Sequence, residues 1–570
     1  MKASDAIARY LSAHGVNVCF ELVGGMITHL IDSMSSSGRF TIVSMHHEQA
    51  AAFAAEGVAR QTAGQRVAVA MGTSGPGATN LVTGIGSCWF DSIPCLFITG
   101  QVNTHELKGV SSIRQQGFQE LDIVSVAGSL TKYAKQINSA DAMLPELHRA
   151  LSMAMTGRKG PVLLDIPNDI QRADLPDEVV EYWANAPFAN IAAEIDTLES
   201  DQCARLVGLC RAAHRPLVCF GGGSRWAAPF QSWISDLESC GIPYVATLMG
   251  QERIKASSFY FKMIGSYGNR EANWAVQNCD LLIVIGARLD VRQTGADVAD
   301  FARQAIKVQV DIDPAQMNNR VKAELNICLD SESFFEQFEI TRDLFPIIDK
   351  DWSLSLRERA ANNDVDEYPE WPVSPHGIFH VINEVMVGQP VDYVCDVGNH
   401  QMWAAQGLRL GDGQAIHHSG GMGAMGFALP AAIGAALASR RRTIVITGDG
   451  SLQVNSQELD TLNRLGLNIT IIVMNNFSLG MVKNFQDMYF DGRDQSTRKG
   501  YSCPSFTALA RAYGLAGVSV NTEQELRGAL SEALGLQGPL LIEILMEGAS
   551  ECRPRLAYGM KLDNQYPDRH

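Results

Sequence analysis

The sequence predicts an α/β protein built from three doubly wound parallel-sheet domains, and three observations carry that expectation. At 570 residues the chain has room for three or four domains of roughly 150 residues each. Short runs of β-branched and apolar residues alternate with amphipathic stretches, which is the pattern of parallel strands covered by helices on both faces. The glycines, 51 of them, gather where those runs end, as strand-to-helix turns require.

In chain order, the first unit spans residues 1–175. It opens on an amphipathic stretch, MKASDAIARYLSAHG, and its expected strands are VNVCFEL, FTIVSM, RVAVAMG, PCLFITG and PVLLDIP, with EQAAAFAAEGVARQ as a helix between them. Charged and proline-bearing, 168–188 reads as a linker. A second unit over 190–345 offers PLVCFGGG, IPYVATLMG, DLLIVIGARLD and KVQVDIDP as strands. The polar stretch 351–375, with Pro369, Pro372 and Pro375 near its end, reads as another linker. The third unit, 372–548, contributes DYVCDVG, RTIVITGDG, ITIIVMNN and PLLIEIL, and residues 549–570 read as an irregular tail or flap. The likeness among the units is architectural, without a sequence repeat.

Composition excludes several classes of function. Lys plus Arg number 46 against 62 Asp plus Glu, a formal net charge of 46 − 62 = −16, so no cationic footprint exists for nucleic acid or an anionic membrane surface. The longest apolar runs, LLIVIGA and ITIIVM, fall far short of the roughly 20 residues of a membrane span. The amino-terminal stretch lacks the basic and apolar regions of a secretory leader, so a cytoplasmic protein is expected. Twelve cysteines stand singly with no CxxC pair, which indicates neither a zinc site nor a disulfide framework.

The chemistry-bearing signals sit at strand ends. TIVITGDGSLQVNSQEL reads as a strand, a tight Gly448-Asp449-Gly450 turn and a helix, which sets a carboxylate and free helix N–H groups where α/β sheets bind ligands. Asn476, 27 positions after Asp449 (476 − 449), ends the next strand. Alone, each is an ordinary turn signal. Together they offer two side-chain oxygens from neighbouring strand ends, part of the near-octahedral oxygen shell that magnesium demands.

This pair resembles the signature of thiamine diphosphate enzymes. The wider resemblance, over nearly the whole chain, is to their acetolactate synthase-like branch, through HHEQAAAFAAEGVAR, GTSGPGATNLVTGI, GFQELDIV, DVGNHQMWAAQ and SGGMGAMGFALPAAIGAALA. The resemblance implies that Asp449, Asn476 and the carbonyl of Ser478 hold Mg2+. It implies that Gly398, Asn399, His400, Gly450, Ser451, Gly480 and Met481 bind the diphosphate, with Asn399 standing where the family usually has Gln. Met425 matches the apolar wedge that bends the cofactor, and Gly423 the residue whose carbonyl takes its amino group. Gly75, Pro76, Gly77 and Asn80 match the loop beside the pyrimidine ring. Glu48, by itself a favourable carboxylate at a helix start, matches the acid that shares a proton with that ring and so activates the cofactor. Phe118, Gln119 and Lys132 match positions near the reaction centre. Glu48 and Asp449 lie in different units and in the family meet across a subunit interface, which implies a homodimer or homotetramer.

The middle unit resembles the FAD-binding part of acetolactate synthases. The matching residues are Gly221, Gly222 and Gly223, then Thr247, Leu248 and Met249, then Gly265 and Tyr267, Gly286, Arg288 and Asp290, Asp311 and Ile312, and Asp330. Tyr267 replaces a family His that faces the flavin. Simple carboligation involves no net electron transfer, so FAD is expected in a structural, non-redox role. The implied reaction decarboxylates a 2-ketoacid, pyruvate, and adds the acetyl unit to a second carbonyl. Arg292 matches the arginine that meets the acceptor carboxylate. Val291, the Val23-Gly24-Gly25 run and Phe485, which replaces a family Trp, depart from the pattern on the substrate side. Two acceptors stay open: a second ketoacid, giving 2-acetolactate, or a bulkier ketone such as a nucleotide-linked keto-sugar. A flavin-linked pyruvate oxidase and a non-catalytic subunit are the remaining alternatives. His417 and His418, just before SGGMG, are read either as loop residues or as lining the acceptor pocket.

Overall fold

In the computed structural model, which describes residues 1–188, 197–363, 374–549 and 551–567, three six-stranded parallel sheets follow one another along the chain. The first contains β1 (Val18–Leu22), β2 (Thr41–Ser44), β3 (Val69–Gly72), β4 (Leu96–Gln101), β5 (Tyr133–Gln136) and β6 (Val162–Pro167), in the order β2-β1-β3-β4-β6-β5. The second contains β7 (Pro216–Phe220), β8 (Tyr244–Ala246), β9 (Tyr260–Met263), β10 (Leu281–Ile285), β11 (Ile306–Asp311) and β12 (Leu325–Cys328), ordered β12-β11-β10-β7-β8-β9. The third contains β13 (Val391–Cys395), β14 (Ile416–His418), β15 (Arg442–Gly448), β16 (Ile469–Asn475), β17 (Ala516–Val520) and β18 (Leu540–Leu545), ordered β14-β13-β15-β16-β18-β17. The outer two units therefore share one strand order, and the middle one follows the dinucleotide-binding order 3-2-1-4-5-6.

The expected strands all form, and five more join them at or near sheet edges: β5, β9, β12, β14 and β17. Their sequences, such as AGVSV and YAKQ, lack the unbroken apolar character of a strand buried on both faces. The expected linker 168–188 is a correction. Asn168–Arg172 and Asp177–Asn185 are helices, because Val180 and Ala184 bury against the amino-terminal helix Ala3–Ala13. In the second expected linker, Trp352–Asn363 is helical with Trp352 and Leu356 buried in the middle unit, and residues 364–373 lie outside the described residues, as do 190–196 of the middle unit.

The outer units are joined by two helices that cross at backbone contact. Glu48–Gln61 is alanine-rich and buried on all sides, and His47 caps it by accepting the Gln49 N–H. It lies on Ala428–Ser439, and only glycine fits the crossing: a Cβ on Gly57 would stand 2.0 Å from the Ala431 carbonyl oxygen, and one on Gly434 would stand 1.9 Å from that of Ala54. The described part of 551–567 packs on the middle unit. Leu562 buries in the middle unit, and Arg270 donates to the carbonyls of Gln565 and Pro567.

Candidate active site

In an open α/β sheet, ligands bind beyond the carboxyl ends of strands where the strand order reverses. In the third unit that point falls between β13 and β15, and both expected loops, Asp396–Asn399 and Gly448–Ser451, leave the sheet there. Asp449 is buried, accepts the Tyr501 hydroxyl at 2.9 Å and the Ser478 main-chain N–H, and burial pushes its carboxyl up to about 6. Asn476 donates its amide nitrogen to the Ala549 carbonyl at 2.7 Å, which leaves its Oδ1 as an acceptor. The Ser478 carbonyl accepts Gly480 N–H at 2.9 Å. A Cβ on Gly480 would stand 2.6 Å from the amide nitrogens of both Asn399 and Asn476, so these three residues meet. A Cβ on Gly450 would stand 3.2 Å from Cε of Met425, which brings the expected wedge residue to the same loop.

The ring of His400 fills the space beside Gly398 and Gly448. Burial lowers it to about 3, so it is neutral, and its Nε2 has no partner among the described residues. Ser451 Oγ donates to the Val397 carbonyl at 2.7 Å. Gly423 has φ of 65°, the left-handed region that suits glycine. Met481 packs on the edge of the third unit's core. Sequence reading assigned no role to Asp396, yet its buried carboxylate accepts N–H groups from Val397, Gly426 and Ala428 at 2.8, 2.9 and 3.0 Å. It thereby ties the loop of Met425 to β13. An Asp at a strand end, two residues before a Gly, was the available signal.

In the first unit, Glu48 is 4% exposed, and Asn80 donates to its Oε2 at 2.9 Å. A Cβ on Gly77 would stand 3.1 Å from Glu48 Oε1, so glycine keeps that oxygen accessible. Pro76 starts the helix Pro76–Asp91, and Gly75, with φ of 65°, packs against Gln119. Gln119 therefore joins the Glu48 loop, and Phe118 beside it is exposed. Lys132 does not join: its amine donates to the Thr156 carbonyl at 2.6 Å, its chain lies on Gly160, and burial lowers it to about 8. Among the described residues no hydrogen bond links the Glu48 group to the Asp449 group.

The switch point of the middle unit lies between β7 and β10, and a cleft of ≈ 240 Å³ opens there. Its walls include Gly222, Gly223, Thr247, Met249, Gly286 and Arg288, and Asp311, Ile312 and Asp330 line it as well. Gly221 lies in the turn itself, where a Cβ would stand 2.1 Å from the Gly286 carbonyl oxygen. Asp330 caps the helix Ser331–Gln337, and Asp290 accepts the Arg292 N–H at 2.9 Å and pairs with Arg288 at 3.3 Å. Leu248 and Tyr267 pack instead on the core of the third unit, and Gly265 lies against the Arg292 backbone. The first unit lends Arg158 and Lys159, which sequence reading missed because they arrive from another domain. The basic pair in TGRKGP was the signal. No group of three His, Cys, Asp or Glu side chains placed to hold a metal ion occurs among the described residues.

His417 binds Glu252 at 3.1 Å and Gln61 at 2.9 Å, which makes it a junction residue of all three units. His418 is buried with neither ring nitrogen partnered among the described residues.

Two outer units share one strand order, one carrying a braced, buried carboxylate at Glu48 and the other a glycine-lined cluster of loops around the buried Asp449. Three family descriptions match along the chain: thiamine pyrophosphate enzyme, N-terminal TPP binding domain, over residues 1–126, the central domain over 203–338, and the C-terminal TPP binding domain over 396–544. Among curated relatives, the probable acetolactate synthase large subunit of Methanocaldococcus jannaschii is 33% identical over 99% of this chain and 95% of its own length. The acetolactate synthase isozyme 2 large subunit of Escherichia coli K12 is 34% identical over 98% of each chain. The acetolactate synthase large subunit of Lactococcus lactis is 32% identical over 98% of this chain and 95% of its own length. The chain belongs to the thiamine pyrophosphate enzymes, in their acetolactate synthase-like branch.

Proposed function

We propose that this thiamine diphosphate-dependent carboligase takes pyruvate as donor and adds its acetyl unit to a second carbonyl compound, with Mg2+ and a structural FAD, as a cytoplasmic homo-oligomer. The observation that carries the reading is the braced Glu48 carboxylate: buried, held by Asn80 and left open at Oε1 by Gly77. Bound thiamine diphosphate supplies the nucleophilic carbon and the electron sink that decarboxylation of a 2-ketoacid needs. Glu48 exchanges the proton that activates it, at Oε1.

The donor set fits a magnesium diphosphate. Asp449 supplies a buried carboxylate, Asn476 an amide oxygen and Ser478 a carbonyl, all oxygen ligands of the kind this cation takes. The glycine contacts at 398, 448, 450 and 480 leave no space for side chains around that cradle. For FAD, the middle cleft offers glycine-floored turns with Arg158, Lys159 and Arg288 as cationic groups for its diphosphate. Among the described residues no hydrogen bond joins the Glu48 and Asp449 groups, and in this reading a second copy supplies the complementary half of each site.

Two acceptors fit: a second 2-ketoacid, which gives 2-acetolactate, and a bulkier ketone, favoured by the exposed Val291 and Phe485 side chains. The test is mass spectrometry of products from pyruvate with ketoacid and nucleotide keto-sugar acceptors, using protein supplied with thiamine diphosphate, Mg2+ and FAD. Glu48→Gln is expected to cut turnover by about 10²- to 10⁴-fold. Pyruvate-dependent bleaching of flavin without carboligation product would instead identify an oxidase, and equal inertness of wild type and variant a non-catalytic chain.

A further inference from the structure

Three arginines are deeply buried among the described residues, and they differ in one respect. Arg60 meets Asp91 at 2.5 Å and Arg225 meets Glu252 at 2.9 Å, whereas Arg555, 7% exposed, has no carboxylate partner among the described residues. Its guanidinium lies 4.8 Å from the Tyr566 ring centroid with Nη1 on the sulfur of Met488, and its Nε is unpartnered. A buried cation without an anion is costly, so this position calls for a negative group.

The backbone sets a second arginine opposite. Ser266 donates its N–H to the Arg292 carbonyl at 2.7 Å and accepts the Leu556 N–H at 2.6 Å, so one residue fastens Arg292 and the tail on either side of Tyr267. Gln406 locks the arrangement by donating to the carbonyls of Tyr267 at 2.9 Å and Pro554 at 3.1 Å. The Arg292 side chain is exposed and makes no hydrogen bond or ion pair among the described residues. The half-buried Tyr267 phenol lies within reach of the charges of both arginines and of Tyr489. Met488, which Arg555 touches, sits three residues past Phe485 on the helix Gly480–Tyr489, which itself begins in the proposed diphosphate loop.

We infer that Arg555 and Arg292 together form a two-guanidinium seat for the anionic group of the acceptor, with Arg555 a specificity-determining residue contributed by the tail. The inference rests on the carboligase reading and deepens it by stating what the acceptor must carry. Guanidinium forks suit either a ketoacid carboxylate or the diphosphate of a nucleotide-linked sugar.

The test uses the cofactor-loaded enzyme with pyruvate as donor and three acceptors: 2-ketobutyrate, a nucleotide-linked keto-sugar, and neutral acetaldehyde. Arg555→Met is expected to raise KM for the anionic acceptor about 10- to 100-fold, the effect of losing one charge-assisted contact. Acetaldehyde should keep its KM and kcat within about twofold, and Arg555→Lys should restore part of the loss. The anionic acceptor that suffers identifies carboxylate or diphosphate as the bound group. Where Arg555→Met does not fold, Arg292→Gln on its exposed side chain must give the same selective loss. Equal losses with acetaldehyde and the anionic acceptors, or no change with any of them, would overturn the seat and leave Arg555 a strut on Tyr566. Wild type that consumes pyruvate without preferring an anionic acceptor overturns the seat alone, and wild type inert toward pyruvate overturns the carboligase reading beneath it.

Discussion

His418 should impose a strong pH dependence on stability. Burial lowers it to about 3; Arg60 and His417 act in the same direction, while Glu252 and Asp91 oppose. An unfolded histidine titrates near 6.5, so between pH 6.5 and 3 the unfolded chain binds a proton that the folded chain refuses. Stability from this residue is therefore present above pH 6.5 and lost as pH falls, by up to about 1.4 kcal/mol per pH unit. Denaturant titrations at pH 7 and pH 5 should find His418→Asn losing less stability on acidification than wild type, by about 2 kcal/mol. Parallel losses in the two proteins would show that the imidazole already finds a proton-sharing partner. Asp396 gives a second residue-scale prediction. Asp396→Ala leaves the N–H groups of Gly426 and Ala428 without their acceptor, at about 1–3 kcal/mol for each group left unsatisfied. Binding titrations should show weaker uptake of thiamine diphosphate, since the loop of Met425 loses its anchor; unchanged affinity would refute that anchoring role.

At the scale of elements, glycines decide what may approach. Gly434→Ala sets a methyl group 1.9 Å from a main-chain oxygen of the helix Glu48–Gln61, and two backbones cannot yield as a flexible side chain would. The helices must separate, so the first thermal transition should fall by several degrees, with a cost of about 1–3 kcal/mol. A transition within one degree of wild type would mean the crossing is looser than its geometry. Gly480→Ala tests the cradle in the same way: its methyl would meet the amides of Asn399 and Asn476 at 2.6 Å. Affinity for Mg2+ with thiamine diphosphate should drop at least tenfold while the fold, followed by circular dichroism, is kept. Elements also mark where sequence reasoning succeeded. The strands buried on both faces, such as LLIVI of β10 and ITIIVMN of β16, are continuous apolar runs and were legible. The helix Asp177–Asn185 was not, because only Val180 and Ala184 of its residues bury and its charged face dominates the composition.

At the scale of the whole molecule, one buried charge network joins the three units. Asp91 of the first accepts N–H groups from Gly420 and Gly421 of the third at 3.0 and 2.7 Å, and Glu252 of the middle unit pairs with Arg225 and His417. Glu252 is held well below the usual carboxylate range: burial opposes this, and His417 and Arg225 outweigh it. Glu252→Gln leaves Arg225 buried without its carboxylate, so about 3–5 kcal/mol of stability should be lost. Calorimetry should then show the middle unit melting apart from the outer two; a single unshifted transition would refute the coupling. The sequence by itself determined three parallel sheets, the family, and the loops that carry Glu48, Asp449 and Asn476, because periodicity and strand-end glycines are local properties. It could not place Arg158 and Lys159 at the cleft of another unit, separate Lys132 from the Glu48 loop, or fasten the backbone of Arg292 and the tail at Leu556 to the same Ser266. Those outcomes depend on which surfaces the three folded units bury against one another, a property of packing between segments up to hundreds of residues apart that no local spacing encodes.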